Sequence, residues 1–160
     1  MKKRNNLTLV IAGIAVTVIT FGAVSGMKNK DEDKTLNSLN YQIGALDDVT
    51  GKFDDEEKVG IVTRKYYKIE ELKSIELDKD VVVYLNVYDE DKTLIQVDEF
   101  TEDVTEEVIA EYSAIGGVYF KLEVVDPEDD EISILDAYKL SEKVTVTLRE
   151  VEDEDKKSED

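Results

Sequence analysis

The sequence predicts an all-β protein: a jelly-roll-like antiparallel β-sandwich with one or two short helices, preceded by a single N-terminal transmembrane helix. Three observations carry that expectation. Apolar residues recur with a two-residue period in run after run between Ile75 and Leu148, the mark of strands with one buried face. Only two stretches break that period with helical spacing. The 21 residues from Leu7 to Met27 carry no charge at all.

The N-terminal element comes first. Residues 1–6, "MKKRNN", form a short basic tail, and "LTLVIAGIAVTVITFGAVSGM" follows at 7–27. As a helix it reaches about 31 Å at 1.5 Å per residue, close to the hydrocarbon thickness of a bilayer. A cleavable signal has a shorter apolar core of roughly 7–15 residues, so the length favours an uncleaved anchor. Ala23 and Ser25 nevertheless fit cleavage after Ser25, which would leave the chain secreted. The basic tail places the N-terminus in the cytoplasm and residues 28–160 outside the cell. Lys28 to Asn40 is polar and charged, a tether. The last nine residues, 152–160, hold no apolar side chain and are expected to be a disordered acidic tail. The sandwich domain is left with 41–151.

Within it, "VGIVTRKYYKI" from Val59 supplies short strands. "KSIELD" sets Ile75 and Leu77 on one face. "VVVYLNVYD" sets Val81, Val83, Leu85 and Val87 on one face and Val82, Tyr84, Asn86 and Tyr88 on the other. The turn "DEDK" leads into "KTLIQVDEF". "GGVYFKLEVVD" alternates Val118, Phe120, Leu122 and Val124 against Tyr119, Lys121 and Glu123, and "KVTVTLRE" turns Val144, Val146 and Leu148 inward. "DEISIL" from Asp130 reads as another short strand. In "TEDVTEEVIAEYSAIGG", Val104, Val108 and Tyr112 fall four residues apart ahead of two glycines, a short helix with a stop. "LDAYKL", Leu135 to Leu140, reads as a helical turn. Seven or eight short strands with minor helix indicate two packed sheets rather than a parallel α/β sheet.

The runs "VGIVTRKYYKIEEL", "VVVYLNVYDEDKTLI" and "DDEISILDAYKLSEKVTVTL" together resemble small jelly-roll domains of uncharacterised bacterial membrane-anchored and prophage-associated proteins, over roughly residues 44–149. The likeness lies in a hydrophobic strand ending in a Tyr-Asp turn and a last strand that follows a helical turn. It implies a fold and carries no functional residues.

Charge and composition narrow the function classes. The chain holds 39 Asp and Glu against 20 Lys and Arg, a net charge of -19, and three of those basic residues sit in the N-terminal tail. So acidic a surface repels phosphates, which excludes nucleic acid as a partner. No cysteine and no histidine are present, which removes disulfides, thiolate and imidazole ligands, and the commonest general base. A carboxylate-dependent glycoside hydrolase is the enzyme class still open, but so many acids always contain some pair at a suitable spacing. The leading expectation is therefore a membrane-anchored, extracytoplasmic, non-catalytic binding or assembly module with a protein partner. Two alternatives follow from side chains. Tyr66, Tyr84, Asn86 and Tyr88 have the aromatic and amide character of a platform for glycan or cell wall, although tyrosines alternating with apolar residues also serve as ordinary strand filling. Asp89 and Asp91, with Asp126, Asp129 and Asp130, crowd carboxylates into two turns and are candidates for a structural calcium of an adhesion domain. Aspartate is equally common in turns because its side chain accepts from nearby backbone N–H groups.

Overall fold

A computed structural model describes residues 33–150. The expected anchor at 7–27 and tail at 152–160 lie outside the described residues. Among those described, no helix is long and apolar enough to cross a membrane.

Ten strands are described: β1 (Lys34–Thr35), β2 (Tyr41–Leu46), β3 (Phe53–Asp54), β4 (Gly60–Thr63), β5 (Tyr67–Lys68), β6 (Leu72–Leu77), β7 (Val82–Tyr88), β8 (Leu94–Phe100), β9 (Tyr119–Val125) and β10 (Val144–Leu148). They form a three-stranded sheet, β1-β10-β6, and a seven-stranded sheet, β3-β2-β4-β9-β7-β8, with β5 also paired to β9. All pairings are antiparallel. Two helices, α1 (Glu106–Ala114) and α2 (Ile134–Glu142), complete the fold. The architecture is that of an antiparallel β-sandwich.

The core lies between the sheets and follows the two-residue period. Val83, Leu85 and Val87 of β7 lie beside Val124, Leu122 and Phe120 of β9 in register, and all six are fully buried. Ile75, Val144, Val146 and Leu148 close the core from the small sheet, and Ile109 and Tyr112 of α1 and Leu140 of α2 join the same cluster. Val118, expected to share the inner face of β9, lies just before that strand and is exposed.

Several segments depart from the sequence expectation: β2 and β3 form where no strand was expected, and two others have a visible local cause. "DEISIL" is not a strand: Ile132 drops into the core, and α2 begins two residues later. The reason is local, since the Ser133 hydroxyl accepts the Asp136 N–H and Asp136 accepts from the Ser133 backbone, a capping box that fixes a helix start. The second is the end of the tether. Lys34 and Thr35 pair with Leu148 and Thr147, and Leu36 is buried. One apolar side chain with a place in the core draws a polar segment into the sheet.

Candidate functional site

The outer face of the large sheet holds an unusual set of side chains. In register across β7 and β9 stand Tyr84 opposite Glu123, Asn86 opposite Lys121, and Tyr88 opposite Tyr119. On an open sandwich this face meets water. Here Asn86 is 2% exposed, Lys121 6%, Glu123 2% and Tyr88 0%.

The chain between β2 and β3 covers part of this face. Asp47 and Lys52 close a tight loop through Asp47 N–H to the Lys52 carbonyl at 2.8 Å and Gly51 N–H to the Asp47 carbonyl at 2.7 Å. The Asp47 carboxylate accepts the N–H groups of Val49 and Thr50 and the Thr50 hydroxyl. The loop lies directly on Tyr88, whose hydroxyl donates to the Gly51 carbonyl at 2.7 Å. Gly51 has φ +65°, and a Cβ there would fall 2.7 Å from the Tyr88 ring. Only glycine meets both demands without strain. At the strap's near end the Leu46 N–H donates to the Glu123 carboxylate at 3.2 Å.

Tyr66 reaches the same face from a bulge. Four residues, Thr63 to Tyr66, stand opposite only Leu122 and Lys121 between the β4–β9 and β5–β9 pairings. The Thr63 hydroxyl accepts the Leu122 N–H at 3.1 Å in the gap. The Tyr66 ring meets Tyr88 edge-on at 4.9 Å and Tyr119 at 6.3 Å. Lys121 lies 4.9 Å from the Tyr66 ring, and Lys92 lies 5.2 Å from Tyr66 and 5.5 Å from Tyr119. Electron-rich ring faces attract ammonium groups, more strongly away from water. Burial lowers the pKa of the Lys121 ammonium. Burial also pushes the Tyr88 hydroxyl well above the ordinary tyrosine range, with Tyr66 and Glu123 adding to the effect.

All four residues of the expected ligand platform are therefore brought to one face, but not as an open platform. Tyr66 and Tyr84 are half-buried, whereas Asn86 and Tyr88 are buried. The sequence points to the tyrosines; it gives no sign that Lys121 and Glu123 would be buried among them. Their pairing with Asn86 and Tyr84 follows from strand register alone.

The aspartates expected to bind calcium fall into two groups. Asp89 and Asp91 lie in the turn after Tyr88, while Asp126, Asp129 and Asp130 follow Val125, which pairs with Val82 at the other end of β7. Six residues of strand separate the two, about 20 Å at 3.3 Å per residue. Asp89 is used locally: its carboxylate accepts the N–H groups of Asp91 at 3.0 Å and Thr93 at 2.9 Å. Asp126 and Asp129 line a shallow cleft of about 230 Å³ with Asp136, Lys139 and Lys143. In it Asp126 faces the Lys143 ammonium at 3.4 Å and accepts the Glu128 N–H at 3.1 Å, and the Ser133 hydroxyl and N–H hold the Asp136 carboxyl below its ordinary pKa. Among the described residues no group of three or more carboxylates is gathered to hold a metal.

A different surface was not legible in the sequence. α2 buries Leu140 and Ser141 and packs Ala137 on the core, yet Ile134, Leu135 and Tyr138, on another side of the helix, are 83%, 62% and 52% exposed. The 3-10 turn Ser38–Asn40, which packs beside α2, also leaves Leu39 exposed. Reading "DEISIL" as a strand takes Ile134 out of this face, because its helical spacing to Tyr138 appears only once the helix is capped at Ser133. Comparison with protein-family models, with curated proteins and with solved structures returns no match to this chain.

Proposed function

We propose that the chain is a non-catalytic binding module with a protein partner, its jelly-roll-like sandwich displayed outside the cell from an anchor at residues 7–27. The observation that carries this reading is the apolar side of α2. A soluble surface scatters its exposed apolar groups singly, whereas a contiguous group rimmed by charge marks an interaction site. Ile134, Leu135 and Tyr138 form such a group, bordered by Glu131, Lys139 and Glu142. Fully covering a leucine or isoleucine contributes about 1.5–3 kcal/mol, and tyrosine is among the side chains that most often anchor an interface.

The glycan reading has less behind it. Sugars stack on accessible ring faces, and here lysines lie over the rings of Tyr66 and Tyr119 while Tyr88 lies beneath the Gly51 loop.

The test is a photo-crosslinking residue placed at Tyr138 in cells that make the full chain, with the same residue at exposed Thr145 of β10 as reference. A discrete adduct at 138 that is absent at 145 and lost with Leu135→Asp supports the reading. Equal labelling at both positions refutes it.

A further inference from the structure

The two edges of the large sheet are unequal. At one end β3 has two residues; at the other β8 has seven, Leu94 to Phe100. β8 pairs along one side with β7, and among the described residues no backbone group of another element pairs with its outward side. A strand in this position presents a row of N–H and C=O groups ready for another strand. α1 leaves that row open. Tyr112 of α1 donates to Asp98 at 2.7 Å, and Asp98 stands opposite core-facing Leu85, so the helix meets β8 on its inner face and not along its edge.

Charge selects what can pair there. From Thr93 to Phe120 the sequence holds seven Asp and Glu and no Lys or Arg. Some of these acids are engaged: Asp98 by Tyr112, Asp103 by the Leu77 N–H, Glu106 by Arg149. Glu99 on the strand, Glu102 just past it, and Glu107 and Glu111 on α1 are all exposed. A second copy of the chain would bring an identical acidic edge to this one, and like charges facing each other oppose pairing. The same charges favour a strand of opposite sign, so the edge discourages self-assembly while admitting a basic partner.

We propose that the open edge of β8 docks an extended, Lys- or Arg-bearing segment of a partner polypeptide, which adds to the large sheet as a further strand. Backbone hydrogen bonds supply the affinity and the flanking acids the selection, the pattern of β-strand addition. Ile95, 40% exposed in the first half of the strand, offers an apolar contact for an alternate side chain of the incoming segment.

The probe is a short peptide alternating Lys with Val and Thr, added to the full chain while amide hydrogen exchange is followed residue by residue. The expected result is slowed exchange at alternate amides of Leu94–Phe100, weakened by added salt, and absent with a peptide carrying Glu in place of Lys. Glu99→Lys with Glu102→Lys, both at exposed positions, is expected to weaken binding about tenfold or more without changing the melting temperature. N-methyl groups along one edge of the peptide are expected to abolish binding, and along the other edge to leave it unchanged. Because this control alters the probe, no variant has to refold. Failure of β8 amides to slow at about 1 mM peptide, or equal binding by the acidic peptide, overturns the proposal. So does indifference to which edge is methylated. The edge is distinct from the apolar side of α2: Leu135→Asp is expected to leave peptide binding intact, so the two readings fail separately.

Discussion

Gly51 offers a direct test of how firmly the β2–β3 loop is held against the sheet. Gly51→Ala meets two costs. At φ +65° an L-residue loses about 1–2 kcal/mol to the contact between its Cβ and the backbone. The added methyl also lies 2.7 Å from the ring of Tyr88, which is wholly buried and held edge-on by Tyr66 at 4.9 Å. Forcing a methyl into such a contact costs about 1–3 kcal/mol. Gly116 separates the two terms, because at φ +90° it is also left-handed, yet nothing lies within 4 Å of the Cβ it would gain. Gly116→Ala is therefore expected to cost only the backbone term, and Gly51→Ala about 2–5 kcal/mol. Urea unfolding reads the difference: with a slope of about 1–3 kcal/mol per molar, the Gly51→Ala midpoint falls by roughly 1 M or more. Tyr88→Leu removes the ring atoms that the methyl would strike. In that background Gly51→Ala should cost no more than Gly116→Ala, a coupling of about 1–3 kcal/mol in a double-mutant cycle. If Gly51→Ala and Gly116→Ala cost the same and the cycle shows no coupling, the loop is not pressed on Tyr88 and the account of the covered face fails.

Two further outcomes follow from the same structure. Tyr41, Tyr88 and Tyr112 are buried, and burial is the largest cause raising each hydroxyl pKa, with an Asp98 hydrogen bond adding to it at Tyr112. The stability this represents is present below the unfolded tyrosine pKa near 10 and is lost as pH rises past it, at about 1.4 kcal/mol per pH unit for each tyrosine. Unfolding by circular dichroism should therefore set in sharply above pH 10, moving to higher pH in Tyr41→Phe; a chain indifferent to pH between 10 and 12 would contradict this. Ser133→Ala removes the cap of α2, with an expected cost of about 1 kcal/mol, whereas Ser133→Thr, whose hydroxyl can still accept the Asp136 N–H and donate to the Asp136 carboxylate, should recover most of it in thermal melts.

The inner faces were legible because a strand's period needs no knowledge of its neighbours. Val83, Leu85 and Val87, Phe120, Leu122 and Val124, and Val144, Val146 and Leu148 all occupy the face their spacing assigns. Tyr112 likewise marks the buried side of α1. What spacing cannot give is whether the other face meets water. Asn86, Tyr88, Lys121 and Glu123 have the pattern of an exposed face and are buried. For Tyr88 the cover comes from Gly51, 37 residues away in the chain. Tyr66 joins them through a bulge whose offset no local pattern records. Ile132 and Ile134 alternate as a strand would, and the Ser133–Asp136 capping box was the signal that overrides them. The candidate ligand residues Tyr66, Tyr84, Asn86 and Tyr88 lie on one face, but their access to solvent depends on long-range packing.

The order in which the small sheet can close is a matter of chain length. β1 begins at Lys34 and among the described residues pairs only with β10, whose Leu148 lies opposite that first residue. β7 and β8 are joined by a five-residue turn and can pair as soon as both exist. Closing a long loop takes more entropy than closing a short one, and distant pairings form more slowly. As the chain emerges from its N-terminal end, β1 is the first of the described strands to appear and cannot pair with β10 until that strand follows it. Until then Leu36 lacks the neighbouring strand onto which its own N–H donates, at the Val146 carbonyl, and an interrupted chain that stops before Val144 leaves β6 with an open inner flank.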